Sequence, residues 1–135
     1  YLCQSQHCMA EMLYDMKRFG EAAKFCEDSI KTAKEARNQE YKFKAELLRS
    51  KIKFEESLSI KRRNEVIRAL ADMLAAEKNT ANLAALNFEL YRMYSAAADY
   101  DKKELHKKAA QRIYKKLYLK TPDHEYKQRI KVLEK

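Results

Sequence analysis

One glycine, Gly20, and one proline, Pro122, are all that 135 residues contain of the two strongest turn formers. A sandwich or barrel needs a turn every eight to twelve residues, and such turns draw heavily on Gly, Pro and Asn-Gly pairs. That supply is missing here. What dominates instead is Ala, Leu, Lys, Glu and Arg, the residues that lose least on entering a helix. With 36% charged residues, the apolar residues must gather on stripes of otherwise solvated helices. The chain is therefore expected to be all-α, a single domain over residues 1–135 that is long enough to bury a core. A first residue of Tyr1 suggests a fragment of a longer protein.

Periodicity divides the chain into seven segments. Met9, Met12, Leu13 and Met16 place a first helix over residues 3–16. Lys17 to Gly20 is the break, with Gly20 suited to the backbone angles of a tight turn. Ala22, Phe25, Cys26, Ser29, Ile30 and Ala33 mark a second helix over 21–37. Ala45, Leu48 and Ile52 mark a third over 41–57. Residues 58–63 read as a loop, and Asn64 as the cap of a fourth helix that runs to about residue 78. Thr80 caps a fifth over 81–97, with Leu83, Leu86, Leu90 and Met93 inward. Asp99 to Asp101 is a turn, and a sixth helix covers 102–119. Thr121 as cap and Pro122 at the first helical position open a seventh, which carries Tyr126, Ile130 and Leu133. Connections this short force neighbouring helices to run antiparallel.

Two of the hairpins share a spacing. Met9-Ala10, Leu13, Phe19 and Ala22 in the first correspond to Leu90-Tyr91, Tyr94 and Ala98-Asp99-Tyr100 in the third. Phe19 and Tyr100 fall at the same place after the turn. The pattern resembles the tetratricopeptide repeat, whose small residues let paired helices approach and whose turn carries an aromatic wedge. Ala10, Ala22 and Ser29 match the small positions, and Ala98 stands where the family has glycine. Tyr91 and Lys103 depart from it, and the middle hairpin has no counterpart. The resemblance implies a right-handed superhelix of about three hairpins plus a terminal helix. A plain helical bundle is the alternative.

The chemistry-bearing residues are sparse. Cys3, His7 and Cys8 lack the second pair that a zinc site needs, and read as two buried thiols beside an exposed imidazole. His7 and Cys8 are adjacent and point about 100° apart on a helix, so they make no nucleophile–base pair. His106 and His124 read as surface residues. No glycine-rich phosphate loop or serine elbow is present. No enzyme, metal or cofactor is expected, and an odd count of three cysteines suits free thiols in a reducing, cytoplasmic setting. No apolar run is long enough to cross a membrane.

A binding module is the remaining class. The resemblance implies that the first helix of each pair lines a peptide groove: Gln4, His7, Glu11 and Tyr14 in the first hairpin, Phe88, Arg92 and Ser95 in the third, and Glu46, Ser50 and Lys53 between them. It implies a protein–protein interaction module within a larger signalling or regulatory protein. Charge offers a second surface. Residues 1–40 hold 6 basic and 7 acidic side chains, whereas residues 101–135 hold 12 and 5. Lys103, Lys107 and Arg112 fall on one side of the sixth helix, and Lys108, Lys115 and Lys116 on another. An acidic protein segment suits such a surface. So does nucleic acid, if Tyr114, Tyr118 and Tyr126 stack bases between the cations.

Overall fold

The computed structural model describes residues 2–135 and contains seven helices and no strand among them: α1 (Leu2–Asp15), α2 (Phe19–Glu35), α3 (Gln39–Glu56), α4 (Ile60–Ala76), α5 (Thr80–Ala96), α6 (Tyr100–Lys120) and α7 (His124–Leu133). Among the described residues no helix is long and apolar enough to cross a membrane. The chain packs as two compact units, residues 1–66 and 67–135, and the boundary falls inside α4.

In the first unit α1 packs on α2, α2 on α3, and α1 also on α3. Ala10 and Leu13 of α1, Ala22 and Cys26 of α2, and Leu48 and Ile52 of α3 share one core. The α1–α2 crossing is made by small residues. The Ser29 hydroxyl donates to the Cys3 carbonyl at 2.8 Å, and both residues are fully buried. In the second unit α5 packs on α6 and α6 on α7. Ala84, Phe88, Ala110, Tyr114 and Leu133 form its core, with Tyr126 and Ile130 of α7 against them.

Three connections share one geometry. Lys17, Arg37 and Ala98 have φ of 62°, 55° and 57°, the left-handed region. The amide after each reaches back five residues: Arg18 to the Leu13 carbonyl, Asn38 to Ala33 and Asp99 to Tyr94, at 2.8, 2.8 and 3.0 Å. The left-handed residue itself bonds three back, completing the paired-bond helix stop that usually employs glycine. None of the three is glycine, and each bears a strain of about 1 kcal/mol for its Cβ. Gly20, expected in the first turn, instead sits in the opening turn of α2 and has no positive φ.

Several helix starts differ from the sequence expectation. α4 begins at Ile60, four residues before the expected cap Asn64. Its first turn is tied to the end of α3 by Arg63, whose Nε donates to the Ser57 carbonyl at 2.9 Å while its guanidinium lies 4.6 Å from the Phe54 ring centre. The cap of α5 is Asn79, not Thr80; its side chain accepts from the Asn82 amide. Thr121 and Pro122 lie before α7, whose cap is Asp123, accepting from the Glu125 amide at 2.8 Å. Proline disfavours helical geometry in the residue before it, so Thr121 is extended (φ −139°) and ends α6 instead. Asn38 and Asp99 cap α3 and α6. Each such cap contributes about 1 kcal/mol.

Candidate functional site

The α1 face expected to line a groove is assembled as the helical period requires. Gln4 and Glu11 are exposed, Tyr14 is half-buried, and His7 is buried. The His7 ring meets Tyr41 of α3 edge to face at 5.8 Å, and its Nε2 lies 3.1 Å from Glu11 Oε1. Its Nδ1 is buried with no hydrogen-bond partner among the described residues. The hydrogen bond from His7 holds the Glu11 carboxyl below its ordinary range; partial burial opposes this, and the His7, Lys51 and Lys44 charges add to it.

On α3 the expected groove residues Glu46 and Ser50 are half-buried and Lys53 is exposed. Tyr41 and Lys51 of α3 reach α1 side chains, the His7 ring and the Tyr14 ring. Lys44 Nζ lies 4.9 Å from the Tyr41 ring centre, and Lys51 Nζ lies 5.0 Å from that of Tyr14. Tyr14 also packs on Phe19 at 5.7 Å. Two tyrosine rings, each under an ammonium, thus flank Glu11. The signal was legible, since Tyr41, Lys44, Leu48 and Lys51 recur at three- and four-residue steps.

In the second unit the expected face divides. Phe88 is a core residue, 3% exposed. Tyr114 meets it edge to face at 6.4 Å, and the Arg129 guanidinium of α7 covers it at 4.1 Å. Arg92 is exposed and lies 3.4 Å from Glu89, whose side chain is buried. Ser95 is half-buried. Phe88 is closed to a ligand because α7 lies over it.

His106 is not the surface residue its lysine-rich surroundings suggested. It is half-buried, stacks on Tyr94 at 5.4 Å and 11°, and its Nδ1 sits 2.9 Å from Asn87 Oδ1. Desolvation lowers its pKa and the Lys102 charge adds to this. Asn87 is buried and donates to the Leu83 carbonyl at 2.9 Å. Sequence spacing alone offered no signal for this cross-helix pair. His124 is exposed, as expected, near Gln128. The thiols are also redistributed: Cys3 and Cys26 are buried, but Cys8 is exposed and His7 is not.

The basic candidates sort differently from their expected grouping. Lys103 and Lys107 are half-buried, and Lys103 turns toward α5, its Nζ 5.9 Å from the Tyr91 ring and 5.6 Å from Tyr100. Lys108, Arg112, Lys115 and Lys116 are exposed. Tyr114 is 4% exposed and packs on Tyr126 at 5.8 Å, and Tyr118 is half-buried. Tyr114 and Tyr126 thus belong to the α6–α7 packing and are not open to stack bases. Burial pushes the Tyr114 phenol well above its ordinary range; Arg129 opposes this, while Glu125, Glu89 and Tyr126 reinforce it.

Comparison with protein families, curated proteins and solved structures returned no match to this chain.

Proposed function

We propose that this chain is a divergent tetratricopeptide-like module that binds another protein, and that the α1–α3 face is where an extended peptide lies. The observation that carries the reading is the pair of lysine-covered tyrosines, Tyr14 under Lys51 and Tyr41 under Lys44, on either side of Glu11. Aromatic rings supply contact area at little entropic cost, and the ammonium groups and carboxylate supply directional partners for peptide carbonyls and charged side chains. The repeat reading draws support from Lys17 and Ala98, left-handed residues in equivalent turns, followed by Phe19 and Tyr100 one residue beyond the cap position. The three unpaired cysteines suit a reducing compartment, and we assign the module to a cytoplasmic signalling or regulatory protein.

The test is capture of peptides from an array by the intact chain and by a Tyr41→Ala/Lys51→Glu variant. The variant should retain its circular-dichroism melt and lose captured peptides by about tenfold or more. Peptide capture unchanged in the variant would remove the α1–α3 face from consideration. Capture of RNA with no peptide bound would overturn the protein-binding reading itself.

A further inference from the structure

Residues 105–122 contain six Lys or Arg and no Asp or Glu. On α6 they produce one exposed face: Lys108, Arg112, Lys116 and Lys120 recur at four-residue steps, with Lys115 three residues after Arg112 beside them. None of these five has a carboxylate within ion-pair distance among the described residues, whereas several cations elsewhere are paired. The row is bracketed by two exposed leucines, Leu105 (65%) and Leu119 (83%). From Leu105 to Leu119 the helix rises about 21 Å, some four turns.

We propose that this face of α6 docks an acidic amphipathic helix of a partner protein, carrying carboxylates along its middle and an apolar residue toward each end. This second surface rests on the protein-binding role proposed above but not on the α1–α3 face. Like-charged side chains held in a row repel one another, and an opposing acidic row with the same helical period neutralises several at once. The terminal leucines find apolar partners on such a helix but none on a phosphate backbone. Nucleic acid is disfavoured further because Tyr114 and Tyr126, which would stack bases between these cations, are committed to the α6–α7 packing. An anionic bilayer is disfavoured because the cations occupy the centre of the face and the apolar stripe of α6 is turned into the core.

The probe is a fluorescein-labelled 18-residue synthetic helix with glutamates at three- and four-residue steps and leucines near both ends, titrated with the intact chain and followed by anisotropy. Binding should weaken as salt rises. Arg112→Glu/Lys115→Glu/Lys116→Glu should lower affinity by about 30-fold or more at low salt. Leu105→Ala/Leu119→Ala should lower it by about 5–20-fold even at high salt. Tyr41→Ala/Lys51→Glu should leave it unchanged, and loss there would relocate the peptide to α1–α3 and overturn the α6 proposal alone. Failure of the wild-type chain to bind the probe overturns it. So does tighter binding of an 18-nucleotide RNA, or of phosphatidylserine vesicles, with the leucine variant unaffected. Circular-dichroism melts of each variant confirm that the fold is intact.

Discussion

The α1–α2 and α5–α6 hairpins are the same device filled in two ways. Their turns correspond residue for residue in backbone angle and hydrogen bonding, Lys17 with Ala98, Arg18 with Asp99 and Phe19 with Tyr100. In that register Cys3 and Ser29 correspond to Ala84 and Ala110, and all four are fully buried. Nearer the turn they part. Ala10, Ala22 and Cys26 are fully buried in the first hairpin, where the second has Tyr91, Lys103 and Lys107. The first hairpin therefore closes on small residues up to its turn, with α3 supplying Leu48 and Ile52. The second carries tyrosine and lysine stems near its turn, and its α5–α6–α7 cluster, where α7 packs over Phe88 and Tyr114, lies farther from it. Equal backbone registers thus carry different fillings near their turns, because side-chain volume decides how closely helices can approach.

The severest challenge to this contrast is to remove the third helix's anchor from each unit. Leu133→Ala and Ile52→Ala should each cost about 3 kcal/mol, since both side chains are almost wholly buried. Hydrogen exchange should then quicken in α5–α7 for the first variant and in α1–α3 for the second. Exchange that quickened equally in both units would show one cooperative core and dissolve the comparison.

The shared small-residue crossing comes next. Ser29→Leu and Ala110→Leu should each destabilise by about 2 kcal/mol through overpacking. Urea midpoints that fell for one and not the other would show that the two crossings are not equivalent.

Alkaline pH separates the units by onset. Burial pushes the Cys26 thiol from its ordinary 9.0 to about 12; the Glu27 charge adds, Arg49 opposes, and Glu11 adds a little more. Below pH 9 both folded and unfolded states keep the proton and nothing changes. Above it the unfolded state releases the proton first, and stability falls by about 1.4 kcal/mol per pH unit. Tyr114 in the second unit acts in the same direction from about its ordinary 10.0 upward. Cys26→Ala should therefore flatten the loss between pH 9 and 10 in α1–α3, as measured by urea melts with exchange readout. On the acid side the depressed His106 pKa works the other way. The unfolded state gains a proton first as pH falls below 6.5, so the second unit weakens there.

The turns should show the smallest effects. Ala98→Gly relieves the left-handed strain and should stabilise by about 0.5–1 kcal/mol, as should Lys17→Gly. Gly20→Ala should stabilise by about 0.5 kcal/mol, because Gly20 is helical and nothing lies within 4 Å of an added Cβ. Opposite signs would return the turn to Gly20.

Much of this molecule was decided locally. The scarcity of Gly and Pro, the 3.6-residue period and the polar caps specify helices and antiparallel neighbours, and Ala98 was readable as standing in a glycine's place. These are properties of one segment at a time, governed by backbone sterics and by which face carries apolar atoms. The α1 candidates Gln4, His7, Glu11 and Tyr14 share a side for the same reason. What no single segment determined was the company each side chain keeps. Phe88 is hidden because α7 folds over it, His106 is half-buried because Asn87 and Tyr94 receive it, and Lys103 and Arg112 part company because only one side of α6 meets α5. Burial is a property of the neighbour as much as of the residue. Only tertiary packing settled which tyrosines fill the core and left one row of cations facing water.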